Sequence, residues 1–413
     1  MKILDFGSCN VDLVYSVNHI VQPGETLAAD SMSKFPGGKG LNQAIAIARA
    51  GAPIYFAGCV GEDDKMLVPL LRASGVDTTY LKTVKEPTGQ AIIQVDQKGE
   101  NSIIIYQGAN GVVTCEHMDS VLENFEAGDI LLIQNEISNI PYLIQKASEK
   151  KMKIILNPSP FEEWMRSIDL DDLYCVILNE TEAGCMSGTG QPLDFLTLVQ
   201  RKHPRLDVIL TLGRQGSIYL KDGKLYRQQA FKVKPVDTTG AGDTFTGYFI
   251  AGLYRGEETV DVLCLATAAS AVAISKEGAA SSIPYLEEVK AAVDSMIPNS
   301  VSSILEQKQL VQTFLAEHIA DVKLGDVAIL LNYSEDYTGR WIRKNFEMNF
   351  SELLQRERCC IAADYLRNTE LSVGEIIRLV GYQNESFFRT IFTKQYGMMP
   401  LEYRKKVIKQ CKL

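Results

Sequence analysis

The chain has 413 residues, 46% of them hydrophobic and 23% charged, and a formal net charge of −9. That length suits two or three domains, and the composition supports a sizeable core, which excludes a largely disordered protein. The acidic total argues against a protein that coats nucleic acid along its whole length, but residues 300–413 carry 16 Lys and Arg against 14 Asp and Glu, leaving 26 against 37 before them.

Nine cysteines without C-x-x-C spacing read as reduced core residues. The N-terminus MKILDFGSCNVDLV opens directly as a strand, without a basic segment or a cleavage site, and no run approaches the ~18 apolar residues of a membrane span. The expected location is cytoplasmic, with no membrane partner. His19, His117, His203 and His318 lie far apart and suggest neither a zinc cluster nor a histidine-based triad.

Residues 2–7 read as a short apolar strand ending at Gly7-Ser8-Cys9-Asn10-Val11-Asp12. This puts Asn10 and Asp12 at a strand's C-terminal edge, where open α/β sheets bind ligands, although the stretch taken alone favours a plain turn. Strand-like and helix-like runs then alternate at 54–58, 65–74, 91–96, 130–134, 141–150, 154–157, 175–179 and 208–212. The alternation predicts an α/β fold with a doubly wound, mostly parallel sheet. Residues 13–35 and 88–106 instead show β-rich patterns broken by Pro23-Gly24 and Lys98-Gly99. They predict a small β lid apart from the main sheet, able to close over a polar substrate and exclude water.

Two glycine-rich stretches carry the chemistry. In Pro36-Gly37-Gly38-Lys39-Gly40-Leu41-Asn42-Gln43-Ala44, the glycines let the backbone approach a ligand, while Lys39 and Asn42 offer donors. Lys39 is followed by Gly40 rather than Ser or Thr, so this is no Walker A loop, and the spacing is wrong for a dinucleotide fingerprint. A tight turn with a solvated lysine is the plainer reading. The second stretch, VDTTGAGDTF at 236–245, puts Asp243 directly behind a glycine bend where a helical run begins. Unpaired N–H groups gather at a helix start, and Gly240 and Gly242 remove Cβ atoms that would keep an anion away. A carboxylate beside an anion hole is a poor partner for the anion itself. It is well placed to take a proton from a nucleophile attacking that anion, which suggests phosphoryl transfer to an alcohol. The plainer reading makes Asp243 a favourable first-turn acid.

A proline- and serine-containing junction over 298–306 leads into an almost wholly helical region, so domains are expected at 1–297 and 307–413. Two helix-turn-helix patterns, at 324–346 and 373–396, are joined by an amphipathic run at 351–366. Such a pair can enter successive major-groove faces of double-stranded DNA about a helical turn apart. Phe387, Phe388, Ile391 and Phe392 are expected in the core. Arg340, Arg343, Lys344, Arg389 and Lys394 are candidate phosphate or base contacts, each equally suited to a solvated face. Glu335, Asp336 and Glu385 at the starts of the recognition helices, and Gly339 within the first, work against DNA binding.

The motifs GSCNVDLV, PGET at 23–26, GGKGLNQA, Thr88-Gly89, NPSP at 157–160, NETE at 179–182, TLGRQG at 211–216 and DTTGAGDTF stand in one order. In order and approximate spacing they resemble the ribokinase, or PfkB carbohydrate-kinase, family over residues 1–297. The resemblance implies that Asp243 is the base deprotonating a sugar hydroxyl and that Gly240, Ala241 and Gly242 form the anion hole. It implies that Asn10, Val11, Asp12, Gly38, Lys39, Gly40, Leu41, Asn42 and Glu136 hold the sugar. Asn179 and Glu182 resemble residues that organise magnesium and phosphate, with a strand end followed by a helix cap as the plain alternative. Thr211, Leu212, Gly213, Arg214, Gln215 and Gly216, with Gly242, resemble the nucleotide site. Asp237, Thr239, Ala273, Lys276, Gly278 and Ser282 match the oxygens around a monovalent cation, and one formal negative charge among them suits potassium better than a divalent ion. Residues 381–404, GYQNESFFRTIFTKQYGMMPLEYR, resemble the AraC-type DNA-binding domain, with 333–350 as its weaker first half.

Together these imply a homodimeric kinase making D-ribose 5-phosphate from D-ribose and ATP, with Mg2+ and K+, fused to a DNA-binding domain. A kinase for another pentose or a nucleoside remains open. So does a transcription regulator that uses the kinase fold as a sugar sensor.

Overall fold

Runs such as ILLIQ at 130–134 and CVILN at 175–179 have no polar face, so as strands they must be covered on both sides. The computed structural model describes residues 1–294, 296, 304–331 and 335–410 and places both runs inside a nine-stranded sheet. The chain divides into two compact units, Met1–Asn299 and Ser300–Leu413. Residues 298–303 of the expected junction, Tyr333 in the first helix-turn-helix and Cys411 lie outside the described residues.

The strands of the first unit are β1 (Ile3–Phe6), β2 (Asn10–Ser16), β3 (Ser31–Gly37), β4 (Tyr55–Gly61), β5 (Asp77–Val84), β6 (Gly89–Val95), β7 (Asn101–Tyr106), β8 (Ile130–Gln134), β9 (Lys153–Asn157), β10 (Cys175–Asn179), β11 (Asp207–Thr211), β12 (Ser217–Lys221) and β13 (Lys224–Gln228). The large sheet has the order β13-β12-β11-β10-β9-β8-β1-β4-β5. It is parallel from β11 to β5, with β12 and β13 added antiparallel at one edge. From β1 the chain moves outward first through β4 and β5 and later through β8 to β11. A switch point therefore lies between β1 and β8, and a crevice opens beyond the carboxyl ends of these strands.

Helices Lys39–Arg49 and Ala241–Arg255 both touch this crevice with their first turns. They cross closely: a Cβ on Gly247 would stand 2.3 Å from Ala46 Cβ and 2.8 Å from the backbone nitrogen of Ile47. Glycine and alanine at this crossing let the two backbones approach, which sets how near the first turns come to each other.

The β-rich segments form the expected separate sheet, of four strands in the order β3-β2-β6-β7. Here the plain-turn reading of Asn10 and Asp12 is corrected. They are the first and third residues of β2, and pairing to β3 on one side and β6 on the other leaves no room for a turn. On edge strand β7, Ile103, Ile104, Ile105 and Tyr106 are all exposed.

The second unit is helical among its described residues: Ile304–Glu317, Leu324–Leu331, Glu335–Phe346, Phe350–Asn368, Val373–Leu379, Glu385–Tyr396 and Pro400–Gln410. Asn349 with Glu352, and Ser372 with Glu375, form capping boxes that start the connecting helix and the second helix-turn-helix. Phe388 and Phe392 are fully buried beside Leu366, Ile376 and Val380, and Ile391 packs against them. Phe387, expected in this core, is 51% exposed instead, with its ring 6.1 Å from that of Tyr382. One residue of offset turns a side chain by about 100°, so Phe387 leaves the stripe that Phe388 and Phe392 share.

The eight described cysteines form no disulfide; Cys9, Cys59, Cys175 and Cys359 are buried, and the other four are half-buried. No helix among the described residues is long and apolar enough to cross a membrane. No cluster of three or more His, Cys, Asp or Glu able to hold a metal occurs among them.

Candidate active site

Helix Lys39–Arg49 starts at Gly38, whose φ of 97° is open to glycine and strained for other residues. A Cβ on Gly40 would lie 2.4 Å from the Ser8 nitrogen and 2.6 Å from Gly7 Cα, so this helix start is pressed onto the end of β1. The Leu41 N–H donates to the Ser8 carbonyl at 2.9 Å, and the Lys39 N–H donates to Glu136 Oε2 at 2.9 Å. The Ser8 hydroxyl donates to the same carboxylate oxygen. On the neighbouring strand, Asn10 Oδ1 accepts from Asn110 Nδ2 at 2.8 Å. Asn10, Asp12, Gly38, Lys39 and Glu136 are thus drawn to one place from β2, the glycine turn and the end of β8. Val11 and Leu41 differ: Leu41 is fully buried in the main core and Val11 packs against it, so only their backbones face the site region.

Asp243 lies in the first turn of helix Ala241–Arg255 and is 7% exposed. Its Oδ2 accepts from Asn42 Nδ2 at 3.0 Å and its Oδ1 from Gln43 Nε2 at 2.8 Å. Two amides from the crossing helix therefore hold this carboxylate. Asn42 Oδ1 is buried with no hydrogen-bond partner among the described residues. Such an acceptor is suited to a hydroxyl donor from a ligand.

Lys39, Asn179, Glu182, Thr211 and residues 240–243 line a single cleft. Gly240 has a φ of 74° and caps the helix. A Cβ on Gly242 would meet no protein atom within 4 Å, so that glycine borders open space. The amides of Gly242 and Asp243 stand too near the helix start for intrahelical partners, and the Ala241 amide makes only a long 3.3 Å bond to the Thr238 carbonyl. The cleft floor thus presents N–H groups beside a carboxylate.

Burial and the neighbouring Glu136 charge push Asp12 up to about 7. Burial also raises Glu136, against the opposing effects of Lys39 and the Ser8 hydroxyl. Burial would lower Lys39, but Asp243, Glu136 and Glu182 outweigh it and hold the ammonium form. If ionised Asp12 accepts from a sugar hydroxyl, kcat/KM for the sugar is expected to rise as pH passes upward through about 7. That limb should be absent from the pH profile of Asp12→Asn.

On the opposite wall, Asn179 Oδ1 accepts the Glu182 N–H at 2.9 Å and Glu182 Oε2 accepts the Asn179 N–H at 3.0 Å. The NETE motif is therefore a capping box, as its plain reading had it, and both residues also line the cleft. Within TLGRQG only Thr211 lines the cleft. Gly213–Gln215 form one exposed 3-10 turn, and a Cβ on Gly216 would lie 1.9 Å from the Gln228 carbonyl, so that glycine closes the turn on β13.

Asp237 Oδ1 accepts from the Thr239 N–H at 2.9 Å and its hydroxyl at 2.7 Å, and Asp237 Oδ2 accepts from the Gly278 N–H at 3.0 Å. Burial works against this carboxylate, but those donors prevail and hold it below the usual carboxylate range. Lys276 Nζ is turned to Glu288 at 2.5 Å, the Ala273 carbonyl accepts the Lys276 N–H, and the Ser282 hydroxyl bonds the Ala279 carbonyl. The set offers oxygen donors with one fixed anion, which fits a monovalent cation.

In the second unit Arg340, Arg343, Lys344 and Lys394 are exposed. Arg389 is half-buried and pairs with Glu385 at 3.3 Å across one helical turn. Such a surface pair contributes little and leaves the guanidinium easily redirected.

Sequence reasoning missed Gln43, Asn157, Gln134, Asn110 and Ser8 as site residues. Gln43 and Asn157 stand inside motifs singled out above. Gln134 and Asn110 carry no local signal, since their partners are about 100 residues away or more.

Residues 2–286 match the family model for pfkB family carbohydrate kinases, and residues 327–406 match a helix-turn-helix domain. Over 297 residues the chain is 37% identical to the ribokinase of Haemophilus influenzae, covering 68% of this chain and 95% of that protein. It is 29% identical over 304 residues to the deoxyribokinase of Salmonella typhi, covering 70% and 97%. The structure of Arabidopsis thaliana ribokinase complexed with ribose and ATP is similar at a TM-score of 0.62 and 30% identity, covering 71% of this chain and 98% of that one.

Proposed function

Because the chain belongs to the pfkB family of carbohydrate kinases and is a sugar kinase with a helix-turn-helix domain behind it, we propose that it phosphorylates the 5-hydroxyl of D-ribose with ATP. The products are D-ribose 5-phosphate and ADP. The observation that carries this reading is Asp243, held by Asn42 and Gln43 beside helix-start amides that open on the same cleft.

In this reading the sugar lies against Asn10, Asp12, Lys39, Asn42 and Glu136. Asp243 takes the proton from the 5-hydroxyl as its oxygen attacks the γ-phosphorus, and the amides at 240–242 receive the charge of the migrating phosphoryl group. Lys39 supplies positive charge from the opposite helix start. Glu182, with Asn179 beside it, would help hold magnesium and the ATP phosphates, and the bound metal would neutralise phosphate charge. Asp237, Thr239, Ala273, Lys276, Gly278 and Ser282 would hold potassium, whose positive charge would favour the phosphoryl anion.

The similarity to a deoxyribokinase keeps a second pentose in play. An ADP-release assay on ribose, deoxyribose, fructose and adenosine is expected to give ribose the highest kcat/KM. Deoxyribose or adenosine ranking first would replace the substrate.

We assign double-stranded DNA binding to residues 307–413 through Arg340, Arg343, Lys344, Arg389 and Lys394. The exposed apolar residues of β7 form a homodimer contact, and the cytoplasm, which holds both ATP and DNA, is the location. Footprinting on the DNA upstream of its own coding sequence should change when ribose is added. Unchanged affinity would argue for two independent activities.

A further inference from the structure

Asp5, the third residue of β1, is 0% exposed and has no part in the reaction drawn above. Its Oδ1 accepts from Gln134 Nε2 at 3.0 Å, while its Oδ2 has no hydrogen-bond partner among the described residues. Gln134 Nε2 also donates to Gln43 Oε1 at 2.8 Å. Gln43 Nε2 in turn donates to Asp243 Oδ1 at 2.8 Å and to Asn157 Oδ1 at 3.0 Å. Asn157 is itself oriented by its Nδ2 donating to the Ile177 carbonyl at 2.9 Å.

A primary amide nitrogen has two hydrogens, so Gln134 and Gln43 have each spent both. Turning Gln43 over would set its oxygen against the oxygens of Asp243 and Asn157. Turning Gln134 over would set its oxygen against those of Asp5 and Gln43. Asp243 and Asn157 are the acceptors at one end of this chain and Asp5 is the acceptor at the other, so the face of Gln134 is held by two oxygens, Gln43 Oε1 and Asp5 Oδ1.

We propose that Asp5 is a positioning residue for phosphoryl transfer: through Gln134 and Gln43, and together with Asn157, it helps hold the amide face that meets Asp243, and so the orientation of that carboxylate. The proposal rests on the reading of Asp243 as the base. Burial pushes Asp5 well above the usual carboxylate range, the Gln134 donor opposes this, and the Asp243 charge adds to the rise. Cys9 is the other titratable group that feels its charge. Oδ1 can accept from Gln134 whether or not Oδ2 carries a proton, so the relay does not require an ionised Asp5. Without that acceptor, the Gln134 amide loses one reason to prefer its present face and Asp243 is less firmly held. A misplacement of about 1 Å at a reacting group can cost about a hundredfold in rate.

The test is kcat, KM for sugar and for ATP, and the melting temperature of Asp5→Val, Asp5→Asn, Gln134→Met and the Asp5→Val/Gln134→Met double variant. Asp5→Val should lower kcat about tenfold or more with both KM values within about twofold of wild type. Asp5→Asn, which keeps a carbonyl oxygen in place, should recover most of that loss. Gln134→Met should match Asp5→Val, and the double variant should be no slower than the slower single. Folded Asp5→Val turning over at the wild-type rate, even with a lowered melting temperature, would overturn the proposal. So would losses that multiply in the double variant. If Asp5→Val does not fold, wild-type kcat in Gln134→Met overturns it instead. Asp243→Asn run alongside separates the two readings: full turnover there removes the base assignment, whereas a dead Asp243→Asn beside a fully active Asp5→Val removes the relay alone.

Discussion

Asp243→Asn is expected to lose about a thousandfold in turnover while the protein still binds sugar. A positioned base contributes roughly 10²–10⁴ to such a step, and the carboxamide offers no comparable proton acceptor. The substitution is nearly isosteric, so the cleft keeps its shape. The new NH2 group must face one of the two amides, Asn42 Nδ2 or Gln43 Nε2, that now donate to the carboxylate. One of those hydrogen bonds becomes a donor-to-donor contact, which costs some stability but leaves Asn10, Asp12 and Lys39 in place for the sugar. Steady-state kinetics and calorimetric titration with sugar together check this. Near-wild-type turnover would refute the base assignment, and loss of sugar affinity equal to the loss of rate would make Asp243 a binding residue.

Gly247→Ala, about one helical turn further along the same helix, should be a damaging small change in the kinase unit. The added Cβ meets Ala46 Cβ at 2.3 Å and the Ile47 backbone nitrogen at 2.8 Å. Backbone cannot swing aside as a side chain can, so helices Lys39–Arg49 and Ala241–Arg255 must part. Overpacking of this kind costs about 1–3 kcal/mol, or several degrees in the midpoint of a thermal melt for a unit of this size. The same separation lengthens the bonds from Asn42 and Gln43 to Asp243, so kcat should fall with stability, by about tenfold or more. A melt and a turnover number both at wild-type values would show that the helices are not seated as closely as described.

Both experiments probe contacts between residues some 200 positions apart, and there sequence and tertiary structure part company. Short-range features were legible in the residues alone. The glycine bend at 240–242 marked the start of a helix, and the alternation of strand-like and helix-like runs marked a mostly parallel sheet. The two helix-turn-helix patterns at 324–346 and 373–396 and the amphipathic run joining them were legible in the same way, whereas helix Pro400–Gln410 was not set apart. These are decided within one or two turns of chain, where propensity and sterics act.

What tertiary structure decided is of another kind. Asn10 and Asp12 had every local mark of a turn, yet β3 and β6 supply partners on both sides and make them a strand. Phe387 and Phe388 are equivalent by composition, and only the position of Leu366 and Val380 chooses which of them is buried. Glu182 could be read as a phosphate-side acid or as a cap, and folding makes it a cap that also lines the cleft. The chain from Asp5 through Gln134 and Gln43 to Asp243 joins two strands and two helices that no local pattern relates. A residue's chemical type is written in the sequence, but the burial and the partners that turn it into an acid, an acceptor or a core side chain arise only when distant segments pack.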